Sequence, residues 1–530
     1  MSRAQPKSSP TDEYAKKIAQ AIAKGRPPPF SETFDRYCES SPGEIFAAFT
    51  GAACHMPPAG KDEPLAVGYL FLLQRLLEHL RYRIDRGYDD AAKLIVDFQA
   101  EVVAQVDAGK VDGRMLALVG GALHQSKIPA TPEFAAASAQ HDVDRNEDAP
   151  LPVDIRAALA GIVEACDGDP FLAVGALTEG SHALPSEARG ALAGALAVEG
   201  GPKGRGAAVL FLLDPDSTVR RAVAGALAQV AASLTPTEVR RLIAMRNWRP
   251  ENERAEVDAI IRKARAEGID CAPWDKGSME SIVATAIDGA MAQAFLLISP
   301  AGRKKRLSSI LIKAGIADAF SGEPETRRQI EMTLTAAAMG APALPVSRAY
   351  LDRSVAHQLV LTIEKGEAPP FGLLQVAETI GGAHWQPARI ALSETLAGLM
   401  AEVPKAMCEP SALASVLRRS DELADLEAVS QSWFEDDPQI TKAVGQARGG
   451  KRAKLATFLL QGIMARRRDK WAEVVLRTAL WMHEASEPND LCWRELTIIA
   501  KALADGRDMA EIGLMHDIAL RTIAAIEDAE

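Results

Sequence analysis

The chain has 530 residues, of which 48% are apolar, 25% are charged and only 5% are aromatic, and its formal net charge is −11. This length exceeds the size at which a single core usually stops growing, so we expect several units or an elongated repeat. The acidic balance argues against attraction of the whole molecule to nucleic acid or anionic lipid.

Cysteine spacing and the N-terminal sequence bear on compartment and cofactors. The cysteines at 38, 54, 166, 271, 408 and 492 form no C-x-x-C pair, which favours reduced thiols over a disulfide framework or a zinc cluster. The opening segment MSRAQPKSSPTDEYAKK lacks the apolar core of a secretory signal, and the longest apolar runs fall far short of the roughly 20 residues that cross a bilayer. We therefore expect a cytoplasmic protein without metal, cofactor or membrane contact.

The first part of the chain is predicted to be helical. Residues 1–12 are interpreted as a disordered tail and residues 13–125 as a helical region. Within that region a wide apolar helix face is formed by Leu72, Leu73, Leu76, Leu77 and Leu80. Residues 126–152 combine prolines with clustered acids and little periodicity, which is typical of a linker.

A repeated helical pattern occupies residues 153–268. In LLDPDSTVRRAVAGALAQV (Leu212–Val230), a helix starting near Val219 would carry one apolar stripe, with Asp214 as its N-cap and Pro215 in its first turn. The members of that stripe are Val219, Ala222, Val223, Ala226, Leu227 and Val230. Arg220 is predicted to lie beside this stripe and not to be one of its members.

The same pattern recurs 31 residues earlier. RGALAGALA (Arg189–Ala197) aligns with RRAVAGALA (Arg220–Ala228) at seven of nine positions. The predicted stripe of this copy is Ala188, Ala191, Leu192, Ala195 and Leu196. A weaker third copy keeps the phase at Arg254, Val257, Ile260 and Ile261. Helices at a fixed period with small residues on one face indicate stacking.

These residues resemble the HEAT-like repeats with a period of about 30 residues, clearly so over residues 155–265. The pattern D-P-x-x-x-V-R-x-x-A-x-x-A-L is matched in or near its positions by Asp214, Pro215, Val219, Arg220, Ala222, Ala226 and Leu227. The resemblance implies an α-solenoid in which aspartate and arginine form a ladder between neighbouring repeats. Arg189 and Arg220 are therefore interpreted as structural. The predicted fold class is all-α, an α-solenoid.

Residues 269–345 depart from the repeat pattern within a helical region. AQAFLLIS (Ala292–Ser299) and RLSSILI (Arg306–Ile312) flank PAGRKK, and Ser299–Gly302 has the composition of a type I turn. Two alternatives are open: a β-hairpin near 292–312 or a helix–turn–helix. In either case Arg303, Lys304, Lys305 and Arg306 would project positive potential from the tip.

The last two regions, 346–440 and 441–530, are predicted to be helical, with an acidic end followed by a basic start. Residues 421–440 carry a net charge of −7 and residues 441–470 a net charge of +8. Either the two blocks neutralise each other, which is the favoured interpretation, or the basic block binds a phosphate-bearing partner. The candidate binding residues are Lys451, Arg452, Lys454, Arg466, Arg467 and Arg468.

Two weak catalytic patterns occur near the C-terminus. GQARGGKR (Gly445–Arg452) approaches a phosphate loop with Lys451 as its lysine, but Arg452 replaces the hydroxyl that would hold magnesium. In WMHEASE, His483 and Glu487 are spaced to share a metal, but Glu487 replaces the second histidine of a zincin. An ordinary helix connection and an ion-paired helix face are the favoured interpretations.

The leading functional hypothesis is a non-enzymatic scaffold or adaptor that binds a protein partner along a solenoid surface. The second is a nucleic-acid- or phosphate-binding protein that uses residues 303–306 and 451–470, which the net charge disfavours. The third is an enzyme whose site is assembled across repeats, with His483, Glu487 or Lys451 as candidates.

Overall fold

The computed structural model describes residues 9–23, 32–56, 63–147, 155–181, 184, 186–274, 277–381, 385–423, 429–447, 451–485 and 491–529. Across these residues the chain forms 24 α-helices and one antiparallel sheet of five strands. The mostly helical prediction is confirmed. The all-α class is wrong, because the sheet extends well beyond the single hairpin that was expected to interrupt the helices.

Seven helices form an N-terminal unit with its own apolar core. They are α1 (Pro10–Ala23), α2 (Glu32–Ser40), α3 (Ile45–His55), α4 (Glu63–Asp85), α5 (Asp89–Asp107), α6 (Arg114–Gln125) and α7 (Pro132–Glu147). The five leucines predicted for the apolar face of α4 are all fully buried. The other helices of the unit pack around that face.

The predicted tail at 1–12 is corrected for its last residues, since α1 already begins at Pro10. The backbone N–H of Asp12 donates to Ser9 Oγ over 3.1 Å, and the Ser9 N–H donates to Asp12 Oδ2 over 3.2 Å. This reciprocal capping arrangement starts the helix, and Thr11 is buried in its first turn. Residues 1–8 lie outside the described residues.

The predicted linker at 126–152 is also corrected, because α7 occupies most of it. Thr131 Oγ1 accepts the backbone N–H of Phe134 over 3.2 Å at the start of this helix. Phe134 is buried in the N-terminal core, so burial of one aromatic ring anchors a segment whose overall composition is typical of a linker. Residues 148–152 lie outside the described part of the chain.

The repeat region folds as seven successive helices whose alternate members contact one another in two rows. They are α8 (Ile155–Ala165), α9 (Pro170–Ser181), α10 (Ser186–Glu199), α11 (Gly201–Leu210), α12 (Ser217–Gln229), α13 (Pro236–Met245) and α14 (Arg254–Ala266). We call α8, α10, α12 and α14 the outer row, and α9, α11 and α13 the inner row. The two aligned sequence copies are α10 and α12, which pack directly on each other.

Glycine and alanine make the contact between α10 and α12 close. A methyl group on Gly190 would lie 2.9 Å from the Ala222 side chain, and one on Gly194 would lie 3.5 Å from the Ala226 side chain. Larger side chains at these positions would push the helices apart. The small residues of the repeat therefore serve helix packing.

The predicted phase of α10 is wrong by part of a turn. Its buried residues are Gly190, Ala193, Leu196 and Ala197, whereas Ala188 and Ala191 are exposed and Leu192 and Ala195 are half-buried. The reason is that α10 meets α12 through its glycines, which rotates the alanines predicted as core toward solvent. In α12 the phase holds for Val219, Val223, Ala226 and Leu227, but Ala222 is exposed. The third copy buries Val257 and Ile260 in α14.

The predicted cap of α12 is corrected from Asp214 to Asp216, two residues further along the chain. The helix begins at Ser217, and Asp216 is its N-cap, since its Oδ1 accepts the Thr218 N–H over 2.7 Å. Asp214 instead accepts the backbone N–H of Asp216 over 2.8 Å, and Pro215 is exposed ahead of the helix. Asp214 and Asp216 both have a side chain that can cap a helix, and Asp216, which directly precedes the helix, is the N-cap.

We expect Ala226→Asp to lower the free energy of unfolding by about 1–3 kcal/mol or more, because the carboxylate would be buried against α10 without a partner. The matched control is Ala191→Asp on the exposed face of α10, which is expected to change stability by less than about 0.5 kcal/mol. Urea unfolding of both variants measures the difference. Equal losses would mean that the helix faces are assigned wrongly.

A five-stranded antiparallel sheet interrupts the helices, with strand order β4-β3-β2-β1-β5. The strands are β1 (Ser281–Thr285), β2 (Gln293–Ala301), β3 (Lys304–Ile312), β4 (Ile316–Ser321) and β5 (Ala343–Pro345). The β-hairpin alternative is confirmed, since β2 and β3 pair along their full length. The prediction that 269–345 is a helical region is wrong, because only α15 (Arg327–Gly340) lies within it.

The hairpin turn is shifted from its predicted place. Ala301 pairs with Lys304, so Gly302 and Arg303 form a two-residue loop, and Ser299 and Pro300 belong to β2. Gly302 has a φ of 63°, and a glycine with positive φ at the first central position suits a tight hairpin loop. Loop geometry therefore outweighs the Ser-Pro-x-Gly turn signal.

The sheet packs on α16 (Arg348–Glu364) and α17 (Gly372–Ile380). The edge strand β4 is covered: Gln375 Oε1 accepts the Ser321 N–H over 3.2 Å, and Lys127 Nζ donates to the Ala317 carbonyl over 2.9 Å. Covering an edge in this way prevents pairing with another chain. It also ties the N-terminal unit to the sheet.

The C-terminal part is helical, as predicted for 346–440 and 441–530. Its helices are α18 (Leu392–Glu402), α19 (Pro410–Arg418), α20 (Pro438–Gln446), α21 (Arg452–Gln461), α22 (Arg468–His483), α23 (Trp493–Ala504) and α24 (Gly513–Ala529). The indole N–H groups of Trp433 and Trp481 donate to the carbonyls of Ile287 and Ala284, 2.8 and 3.2 Å away. One apolar core therefore runs from the repeat helices through the sheet to the C-terminal helices.

Candidate functional site

A buried ion-pair network joins α12 to the start of α14. Arg220 is fully buried, and its Nε and Nη2 donate to the two carboxylate oxygens of Glu253 over 2.9 and 2.7 Å. Arg249, also fully buried, donates to Glu253 Oε2 over 2.8 Å. Burial opposes ionisation of Glu253, but these hydrogen bonds outweigh it and hold the pKa of its carboxyl below the ordinary value.

The remaining donors of Arg220 go to backbone carbonyls. Nη1 donates to the carbonyls of Asp214 and Pro215, each over 2.8 Å, and Nη2 donates to Gly366 over 3.1 Å. Arg189 lies 3.7 Å from Asp214 between α10 and α12. Arg189 thus lies between α10 and the segment that precedes α12, and Arg220 has no donor left for a ligand.

The last helix of the inner row is covered by the chain itself. Arg240 and Arg241 of α13 both bind Glu378 of α17, over 3.1 and 2.8 Å. The Trp248 indole donates to the Trp385 carbonyl over 2.7 Å. Glu378 and Trp385 therefore cover α13 and the 3-10 turn that follows it.

The outer row is open. Its exposed residues include Ala191 and Val198 on α10, Arg221 and Ala222 on α12, and Ala259 and Arg262 on α14. Small side chains are exposed on α10, α12 and α14, and exposed arginines lie on α12 and α14. A partner can reach this part of the repeat.

The basic hairpin tip is only partly free. Lys305 forms an ion pair with Glu280, whereas Arg303 and Lys304 are exposed and Arg306 is half-exposed. Among the described residues these three cations form no ion pair. The tip therefore projects positive potential from the hairpin loop and the first residues of β3.

The acidic and basic blocks meet through Glu435 and Asp437. The buried carboxylate of Glu435 accepts from Arg467 Nη1, Lys470 Nζ and the Trp471 indole, over 2.7, 3.0 and 2.8 Å. Arg467 also binds Asp437. Mutual neutralisation of the two blocks is confirmed for these residues.

The other basic candidates do not share one environment. Arg452 forms an ion pair with Glu527, and Arg468 is half-buried at the start of α22. Lys451, Lys454 and Arg466 are exposed and have no ion pair among the described residues. The predicted binding set is therefore split, and three of its members remain available.

The structure does not assemble the two catalytic patterns. Gly445 lies inside α20 and Lys451 is the N-cap of α21, so a helix precedes this segment where a phosphate loop needs a strand. His483 Nε2 lies 3.1 Å from Glu402 Oε2 and its ring packs edge-on against Trp493, while Glu487 lies outside the described residues. Within the described part of the chain, no three His, Cys, Asp or Glu side chains are grouped to hold a metal ion.

Sequence reasoning missed His357, a buried histidine on α16. Its Nδ1 accepts the Ile390 N–H over 3.2 Å, and its Nε2 lies 2.6 Å from Arg477 Nη2. Burial, together with the charge of Arg477, lowers the pKa of His357 to about 4. A lone histidine in an alanine- and leucine-rich helix carries no sequence signal for this contact.

His357 should make stability depend on pH. Because its folded-state pKa is about 4 and its unfolded value about 6.5, the unfolded chain binds the proton first, and stability is lost as pH falls through that window. The shift corresponds to about 3 kcal/mol at pH values below both. We expect His357→Asn, whose amide oxygen can replace Nδ1 as an acceptor, to flatten the pH dependence of urea unfolding between about pH 4 and 6.5. An unchanged pH profile would contradict this assignment.

Two segments of the chain match known family models. Residues 185–268 are similar to the Y4lR second domain, and residues 393–527 are similar to the Y4lR C-terminal helical domain. These limits coincide with α10–α14 and with α18–α24. The matches are to these families and not to a HEAT-repeat family, so the HEAT-like interpretation stays a prediction.

No curated protein and no solved structure gives a significant match to the chain. Among the described helices, none combines the length and apolar character that a membrane span requires.

Proposed function

We propose that the protein is a non-enzymatic helical-repeat adaptor that binds a protein partner on the outer row of α10, α12 and α14. The observation that carries the proposal is the contrast between the two rows. The last helix of the inner row, α13, is tied to α17 through Glu378, while the outer row exposes side chains on three helices.

Rigidity supports the same role. The Arg220–Glu253–Arg249 network and the glycine–alanine contacts of α10 and α12 fix the spacing of the outer helices. A binding face held in one geometry loses less conformational entropy when a partner docks. In this proposal the HEAT-like repeat acts as a solenoid whose usual concave side is filled by its own chain.

Site-specific photocrosslinking tests this proposal. A photoreactive amino acid at Arg221 or at Arg262 is expected to capture the same protein in the cells that make this chain. The matched control is the same amino acid at Thr333, an exposed position on α15. The absence of a shared adduct at 221 and 262, or an equal adduct at 333, would contradict the proposal.

A charge-reversal variant gives a second readout. Arg221→Glu combined with Arg262→Glu is expected to weaken binding of the captured partner by about tenfold or more, as charged contacts at interfaces do. Because both side chains are exposed, the melting temperature should stay close to that of the parent chain. Loss of folding together with binding would point to a structural role for these arginines.

A further inference from the structure

Helix α21 exposes one stripe that the fold does not use. Lys451, Lys454, Phe458 and Gln461 follow one another at intervals of three, four and three residues, and all four are exposed. This spacing places them along one face of the helix. Phe458 is 62% exposed, so its large apolar ring contacts water and is not part of an apolar core.

The opposite side of α21 supplies its packing. Ala456, Leu459 and Leu460 are buried, and the helix lies against α24. Replacement of Phe458 by a smaller residue therefore leaves the contacts that hold α21 in place. The Phe458 ring is therefore not needed for the packing of α21.

The cations beside Phe458 remain free although the acidic block is close in sequence. Glu435 and Asp437 are engaged by Arg467 and Lys470, and Arg452 is paired with Glu527. Lys451 and Lys454 form no ion pair among the described residues. The stripe thus presents an aromatic group and two uncompensated positive charges to solvent.

We propose that this face of α21 binds an acidic segment of a partner protein that carries a large apolar side chain. The apolar side chain packs on the Phe458 ring, and carboxylates of the segment pair with Lys451 and Lys454. Because both lysines lie on one face of a single helix, a short acidic segment is long enough to pair with both of them. This surface lies on a different part of the chain from the outer row and does not depend on it.

The charge of the whole chain favours a protein segment over other anionic partners. A nucleic acid longer than the stripe would meet a protein with a net charge of −11, and its bases would find one aromatic ring on this face. A lipid surface requires a stripe of several apolar residues, whereas this stripe contains only Phe458. An acidic peptide needs only the local charge and one anchor.

The test uses the full-length chain and a fluorescently labelled peptide of Asp, Glu and Leu residues, with binding followed by anisotropy. Phe458→Ala and the pair Lys451→Glu, Lys454→Glu are each expected to weaken binding about tenfold. The matched controls are Met332→Ala, which removes an equally exposed apolar side chain from α15, and Lys304→Glu at the hairpin tip. Both controls should bind the peptide like the parent chain, and all variants should keep its melting temperature.

Competition separates the alternatives. Unlabelled oligo-deoxythymidine and vesicles containing phosphatidylserine are added to the same complex. Failure of both to displace the peptide supports the proposal. Tighter, Phe458-dependent binding of either competitor overturns it in favour of a nucleic acid or a lipid surface. Peptide affinity that is unchanged in the Phe458 and lysine variants also overturns it.

Discussion

Replacement of Glu253 by alanine is expected to lower the free energy of unfolding by about 3–5 kcal/mol. Among the described residues, Glu253 is the carboxylate that forms ion pairs with both Arg220 and Arg249, which are fully buried. Its removal leaves two buried cations without their ion-pair partner, and one arginine nitrogen, Arg249 Nη1, already lacks a hydrogen-bond partner. Urea unfolding measures the loss.

The matched control is Glu251→Ala, an exposed glutamate in the same short 3-10 turn. It should change stability by less than about 0.5 kcal/mol. Glu253→Gln keeps an acceptor but loses the charge, and is expected to fall between the two. If the Glu251 and Glu253 variants were equally stable, water would have to solvate the arginine charges of the network, which would contradict their burial.

A second substitution tests whether the cost arises from uncompensated charge. Arg249→Met added to Glu253→Ala is expected to recover part of the loss, because it removes one of the two stranded cations. Arg221→Met, on the exposed face of α12, provides the comparison and should recover nothing. Additive losses from the Arg249 and Glu253 changes would contradict electrostatic coupling between them.

Local patterns predicted the helices of the repeat but not their orientation. The alanine-rich copies at 189–197 and 220–228 form the packed helices α10 and α12. Which face of α10 is buried depends on Gly190 and Gly194, whose missing side chains allow close approach to α12. A search for apolar periodicity does not count glycine as a contact residue. The predicted stripe is therefore rotated about the helix axis relative to the buried face.

In the sheet, strand pairing could be predicted only where the two strands are close in sequence. The β2–β3 hairpin is local, and its alternating apolar residues around a glycine loop made it one of two explicit alternatives. Strand β5 pairs with β1 across some 60 residues of chain and is only three residues long. Such a short strand, which is not itself buried, carries no local pattern from which its pairing could be predicted.

The candidate surfaces were predicted in part. Charge blocks pointed to Lys451 and Lys454, which are exposed, and to Arg467, which is not free because Glu435 binds it. Phe458 was missed because it stands next to Leu459 and Leu460 in ATFLLQ, where an apolar run is typical of a core. Only the packing against α24 shows that one member of the run points to solvent.

Replacement of Gly372 by alanine is expected to cost about 3 kcal/mol, the upper end of the range for overpacking. A methyl group at this first residue of α17 would lie 1.7 Å from the Ala319 carbonyl oxygen of β4. Because the obstacle is backbone, α17 must move away from the sheet edge, which breaks the hydrogen bond from the Ser321 N–H to Gln375.

The matched control for Gly372→Ala is Gly398→Ala in α18, where a methyl group would have no neighbour within 4 Å. There alanine is expected to stabilise by about 0.5–1 kcal/mol through its helix propensity. If the two glycine-to-alanine substitutions change the free energy of unfolding in opposite directions, the loss at Gly372 arises from a steric clash and not from a general effect of alanine. Hydrogen exchange at the Ser321 amide should accelerate in the Gly372 variant and stay unchanged in the Gly398 variant. If Gly372→Ala is neutral and Ser321 stays protected, the methyl group fits without moving α17, which would contradict the close approach of Gly372 to the Ala319 carbonyl.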